Sequence, residues 1–218
     1  MINHIINEKD GGVCQLSYIP NFIDDKLSKK IMNEMNNIND WKIGKTNDGK
    51  IIKRKQKWFQ IDNKPFCKVW REQYDRWKSH NYTTFLLDLQ DLIQSKINNY
   101  LINHENIKKP KYNSLLINYY ENGNNQIAPH QDNKLSFGNE PTIALLSFGD
   151  TRTIILERTK RNLLKRNKEE FHLNKKIKLE HNSLFIMAGD VQKNYCHYIP
   201  KENNKRKRYS LTFREFIK

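Results

Sequence analysis

Pro141-Thr142-Ile143-Ala144-Leu145-Leu146-Ser147-Phe148-Gly149-Asp150-Thr151-Arg152 is the stretch on which the fold turns. Thr142 to Phe148 reads as a strand, and Gly149-Asp150 as the turn that closes it. Similar short runs lie on either side: Tyr112 to Tyr120, Thr153 to Glu157, Ser183 to Met187 and Tyr209 to Phe213. Asn122-Gly123-Asn124, Phe137-Gly138-Asn139 and Gly189-Asp190 punctuate them with further turns. Many short strands in the C-terminal half predict a jelly-roll or similar double-sheet barrel, with a mouth where residues from distant strands converge.

Upstream the pattern is helical. Asp24-Asp25 can start one helix, with Leu27, Ile31 and Met35 recurring every fourth residue. Thr83-Thr84 can cap a second, running to about Ile102, with Phe85, Leu89, Ile93, Ile97 and Tyr100-Leu101 on one side. Both stripes read as core packed against a sheet, so the expected class is α+β.

A chain of 218 residues can bury one good core. No apolar run approaches the roughly 20 residues of a membrane span, and the first residues lack the basic and apolar regions of a secretory signal. Cys14, Cys67 and Cys196 are odd in number and without a short pairing spacing, which predicts free thiols in a reducing compartment, cytoplasm or nucleus. A monomer without a membrane partner is expected. The net charge of +15 would attract polyanions and make binding salt-sensitive. Codon bias toward Asn, Lys and Ile is the other reading of that charge. Arg158, Lys160, Arg161, Lys165, Arg166, Lys168, Lys175, Lys176 and Lys178 form either a phosphate-contacting loop or a solvated surface.

Chemistry gathers in His130-Gln131-Asp132, His197, Arg208 and Arg214. On an extended segment His130 and Asp132 project to the same side and can grip one ion. Two imidazoles and a carboxylate supply one face of a divalent iron and leave the other open. Two arginines on one later strand offer planar, permanently charged forks for a dicarboxylate. Cys196 should face away from its neighbour His197 and pack.

Several segments together resemble the AlkB-like family of iron(II)- and 2-oxoglutarate-dependent dioxygenases. They are Ser114-Leu115-Leu116-Ile117-Asn118-Tyr119-Tyr120, His130-Gln131-Asp132, Pro141 to Arg152, Asn182 to Met187, His197-Tyr198-Ile199-Pro200-Lys201 and Arg208 to Arg214. The resemblance runs from about residue 112 to 216, with a weaker echo at Arg54-Lys55-Gln56. It implies a double-stranded β-helix core over 111–218, behind an N-terminal extension over 1–110 that carries buttressing helices and a nucleotide-recognition lid, all within one domain. It also implies iron(II) on His130, Asp132 and His197, with 2-oxoglutarate and O2 as co-substrates. Arg208 would pair with the distal carboxylate and Arg214 would lie near the keto-acid end. Asn118 and Tyr120 would hydrogen-bond the co-substrate, with Ser210 alongside them where relatives usually carry Asn.

The implied reaction hydroxylates an N-methyl group on a base of DNA or RNA, releasing formaldehyde, succinate and CO2. A base must be flipped or single-stranded to reach such a site. Arg54, Gln56, Trp58 and Phe59 fall at the start of the implied lid. Trp70, Tyr74 and Trp77 alternate with cations, as a nucleic-acid groove would, but their helical spacing favours core. Lys134 stands where repair relatives place an acid facing the base, and a cation there would repel a positively charged lesion. A protein or small-molecule hydroxylase on the same core, and a silent nucleic-acid-binding module, are the alternatives.

Overall fold

The computed structural model describes residues 1–8, 11–46, 49–61, 77–159 and 174–217. Cys67, Lys68, Trp70, Arg71, Tyr74, Arg76 and the basic stretch 160–173 lie outside the described residues. In chain order the elements are β1 (Ile2–Asn7), β2 (Val13–Ile19), α1 (Asp25–Asn37), β3 (Lys42–Lys45), β4 (Ile51–Gln60), β5 (Ser79–His80) and α2 (Thr84–Ile97). There follow β6 (Ser114–Tyr120), β7 (Ile127–His130), α3 (Lys134–Phe137), β8 (Ile143–Gly149), β9 (Arg152–Arg158) and β10 (Lys175–Leu179). The chain closes with β11 (Ser183–Gly189), α4 (Val191–Asn194), β12 (Tyr195–Ile199) and β13 (Arg208–Arg214).

Two sheets face each other as a jelly roll. The larger has nine strands in the order β1-β2-β11-β8-β13-β6-β4-β3, with β5 beside β4; the smaller has four, in the order β10-β9-β12-β7. The first 110 residues do more than buttress: β2 pairs with β11 and β4 with β6, so they widen the larger sheet at both ends. Strands β1 to β5, β7, β10 and β12 emerge only in the structure. Most are short or heavily charged, and lack the apolar run by which the others were read.

Both predicted helices form. The Asp24 carboxylate accepts from the Leu27 amide at 2.8 Å, and the Thr83 hydroxyl from Leu86 at 3.3 Å, each satisfying an amide the helix cannot. α2 stops at Ile97, short of Ile102. Gln15 on β2 donates to the Tyr100 carbonyl at 2.5 Å and accepts from the Ile102 amide at 3.0 Å, which draws the backbone off the helical path.

Strand alternation divides the larger sheet cleanly. Leu115 and Ile117 on β6, Ala144, Leu146 and Phe148 on β8, and Tyr209, Leu211 and Phe213 on β13 pack beneath the helices, where Ile31 and Ile93 are fully buried. Ile143 and Leu145, Phe185 and Met187 point the other way and meet Ile154, Leu156 and Tyr195 of the smaller sheet. Both faces of β8 are thus covered, which is why its sequence is nearly all apolar. Gly149 leaves β8 with φ +96°, and a Cβ there would lie 2.5 Å from the Lys207 carbonyl oxygen, so the predicted turn requires glycine. Ile93→Ala should cost about 3 kcal/mol of unfolding free energy through the cavity it leaves, read by urea titration.

Candidate metal centre

β12 runs antiparallel to β7 and sets His197 directly opposite His130, with ring centroids 4.3 Å apart. Asp132 follows two residues after His130, its Oδ1 3.9 Å from His130 Nε2. Ligand atoms of the three side chains all lie within 4.8 Å of one another, and no other such group occurs among the described residues. His130 Nδ1 sits 2.9 Å from the Ala128 carbonyl, which can only accept. The ring proton therefore lies on Nδ1, and Nε2 keeps its lone pair for the cluster.

Protonation suits metal binding. Burial pulls the His130 pKa down, against the attraction of Asp132. Burial and the neighbouring His130 bring His197 to about 3. Both rings are then neutral at pH 7, the form that donates to a metal. Burial alone would raise Asp132, but Arg214, His197 and His130 together outweigh it and hold the carboxyl at about 2. Arg214 Nε donates to Asp132 Oδ2 at 2.5 Å and Nη2 to Oδ1 at 3.3 Å. Gln192, buried on α4, clamps the same loop: its Oε1 accepts from the Asp132 amide at 2.9 Å and its carbonyl from Gln131 Nε2 at 2.7 Å. Nothing in so short a helix marks Gln192 in the sequence.

A cavity of about 720 Å³ opens beside the cluster. Asn118 and Tyr120 of β6 and Ser210, Thr212 and Arg214 of β13 share the inward parity and line it. Arg208, of the same parity, is fully buried behind the Tyr120 ring, 5.1 Å from its centroid. Its Nε donates to Ser147 at 2.9 Å, while both terminal nitrogens lack a hydrogen-bond partner. Burial lowers its pKa to about 10, which still leaves the group charged at pH 7. Across the same ring Arg152 is satisfied by Glu202 and by the carbonyls of Asn122, Asn125 and Pro200, so it braces Tyr120.

A model of the 2OG-Fe(II) oxygenase superfamily matches residues 15–214. The chain belongs to this superfamily. Its members' cofactor set, iron(II) with 2-oxoglutarate and O2, is the one this donor set suits: two neutral imidazoles and an ionised carboxylate on one side of an ion. Buried polar atoms without partners lie on the strands beside the cavity: Arg208 Nη1 and Nη2, Arg214 Nη1 and Asn118 Oδ1, of which Arg214 and Asn118 line it. Folded proteins leave few such atoms, and a buried unpaired guanidinium is costly, so the site fits an acid that arrives later.

Human alpha-ketoglutarate-dependent dioxygenase alkB homolog 3 is 41% identical over 105 residues, covering 47% of this chain and 36% of that protein. DNA oxidative demethylase ALKBH2 of Arabidopsis thaliana is 32% identical over 120 residues, 48% of this chain and 38% of its own. The chain thus matches little more than a third of the length of these curated relatives. Among solved structures, OsALKBH1 superposes with a TM-score of 0.61 at 15% identity, over 92% of this chain and 97% of that one. A Trichoplax adhaerens prolyl hydroxylase does so at 0.58 and 12%, over 92% and 83%. These two show the fold.

Of the residues expected to meet a substrate, two do not reach the cavity. Arg54, Gln56 and Trp58 line the cavity, but Phe59 packs under the helices against Tyr82, because adjacent strand residues point to opposite faces. Lys134 is exposed at the start of α3 and off the cavity wall; Asn133 lines it instead. Trp77, expected as core, does pack against the cluster of Trp58, Leu116, Phe137 and Phe216; it is half-buried and also lines the cavity, edge-on to Trp58 at 5.9 Å. Cys196 stays outside the metal cluster, a free thiol like buried Cys14.

Proposed function

We propose that this oxygenase oxidatively demethylates N-methylated bases in DNA or RNA. The observation that carries the reading is one cavity holding both the His130, Asp132 and His197 cluster and an aromatic wall of Trp58 and Trp77. Such a wall suits a base swung out of its strand. The names of the relatives alkB homolog 3 and DNA oxidative demethylase point the same way, as does the charge of +15.

In this reading His130, Asp132 and His197 hold iron(II). Arg208 takes the distal carboxylate of 2-oxoglutarate, helped by Tyr120, Asn118 and Ser210, and Arg214 lies toward the keto-acid end. Iron(II) with 2-oxoglutarate and O2 supplies the power to hydroxylate a C–H bond, the co-substrate leaving as succinate and CO2. Arg214 keeps Asp132 ionised, and Gln192 fixes its backbone. Leu116, Leu145, Ile154 and Met187 keep water from the reacting methyl. The hydroxymethyl product loses formaldehyde as its hydroxyl proton passes to the base nitrogen. Arg54, Gln56 and Trp58 position the base, residues 1–110 supply the lid, and the protein works as a monomer in a reducing compartment. No described helix is long and apolar enough to cross a membrane.

Oligonucleotides bearing different methylated bases, incubated with iron(II), ascorbate and 2-oxoglutarate, should lose a methyl by mass as succinate accumulates. Succinate without any nucleic-acid product would favour a hydroxylase acting on another substrate. Binding without succinate would favour a silent module.

A further inference from the structure

We infer that Arg152 and Glu202 are a positioning pair that sets how tightly 2-oxoglutarate is held, acting through the Tyr120 ring; this rests on the co-substrate reading above. Neither residue lines the cavity, so neither is placed to touch the co-substrate. Tyr120 does line it. Arg208 does not: it lies behind that ring, and an anion bound for its guanidinium must pass the ring to reach it. Where the ring sits therefore decides how much of Arg208 an anion meets.

Two guanidinium groups hold the ring, with Cζ 5.1 Å from its centroid for Arg208 and 5.4 Å for Arg152. They differ in how firmly they are themselves held. Arg208 donates to Ser147 from Nε, and its terminal nitrogens lack hydrogen-bond partners. Arg152 is held at every nitrogen. Its Nε donates to Glu202 at 2.7 Å, Nη1 to the Asn122 carbonyl at 3.3 Å, and Nη2 to the carbonyls of Asn125 at 2.8 Å and Pro200 at 2.5 Å. A guanidinium fixed in this way is a rigid platform for an aromatic face, so Arg152 is the anchor of the two.

Glu202 fixes the anchor in turn. Its carboxylate also accepts from the Thr153 hydroxyl at 2.6 Å and the Thr153 amide at 3.2 Å, and its own amide donates to the Gly123 carbonyl at 3.0 Å. The loops 121–126 and 200–207 meet so closely there that a Cβ on Gly123 would overlap the Glu202 carbonyl oxygen. Glu202 also neutralises Arg152, so the pair does not compete with Arg208 for the anion. The side-chain hydrogen bonds of both residues go to the groups just named, none of them a metal ligand. Disturbing the pair should therefore let the ring drift while the metal cluster stays as it is.

The test titrates 2-oxoglutarate by calorimetry into protein loaded with manganese(II) in place of iron, so that binding is read without turnover. Arg152→Lys keeps the charge but not the fork. It should weaken 2-oxoglutarate about tenfold, the scale of one desolvated cation–aromatic contact, while manganese affinity and kcat at saturating co-substrate stay within about twofold of wild type. Glu202→Gln, at a partly exposed side chain, should weaken binding in the same direction, and it carries the test should Arg152→Lys not fold. In a Tyr120→Leu background Arg152→Lys should add little, because its effect runs through the ring. Unchanged affinity in a folded variant of either residue, a parallel loss of manganese affinity, or an effect that adds fully to that of Tyr120→Leu overturns the inference and leaves the pair a structural brace. Arg208→Met separates the two levels: if it too leaves 2-oxoglutarate binding unchanged, the co-substrate reading fails, and this inference with it.

Discussion

His130→Ala should cut iron-dependent succinate formation at least about a hundredfold, because even contacts one layer outside a metal ligand are worth roughly 10- to 100-fold. His130 is the best of the three for this test. Its side chain is a third exposed and its one hydrogen bond is to the Ala128 carbonyl, so its loss should leave the fold intact. Asp132→Ala should be equally inactive but also less stable, since Arg214 would be left as a buried charge without its partner, at a cost of about 3 kcal/mol or more. Metal content by mass spectrometry and thermal unfolding separate the two effects. Retained turnover in His130→Ala would refute the metal assignment.

Arg208→Met should raise the 2-oxoglutarate requirement about 30-fold or more, the scale on which a buried charged hydrogen-bonded pair is lost. Without co-substrate the same variant should be as stable as wild type, or more so. Arg208 is fully buried and both terminal nitrogens lack partners, so the relief of an under-satisfied charge offsets the loss of its one hydrogen bond to Ser147 and its contact with the Tyr120 ring. Apparent KM for 2-oxoglutarate and melting temperature are the two readouts. A large loss of stability with an unchanged KM would make Arg208 a structural cation.

Much of the site was legible because strand parity is local. Arg208-Tyr209-Ser210-Leu211-Thr212-Phe213-Arg214 alternates polar and apolar, and every polar member lies on the inner face of the sheet while Tyr209, Leu211 and Phe213 go to the helices. The same rule could have chosen between Trp58 and Phe59 once Arg54 and Gln56 were placed on the cavity side. Gln192 was beyond reach, because its role is a contact with Asp132 across 60 residues of chain. Arg152 carries no local sign that it will brace Tyr120.

By itself the sequence determined the ligand chemistry, the helices and their caps, and the strands dense enough in apolar residues to announce themselves. These follow from neighbours a few positions apart, where backbone geometry fixes which side chains share a face. Only the tertiary structure decided that β7 would lie against β12 and bring His130 to His197. It alone put Lys134 outside and Asn133, Arg54 and Trp77 on the cavity wall. Those outcomes depend on pairing between distant strands, and an isolated segment holds no information about which of its two faces another sheet will cover.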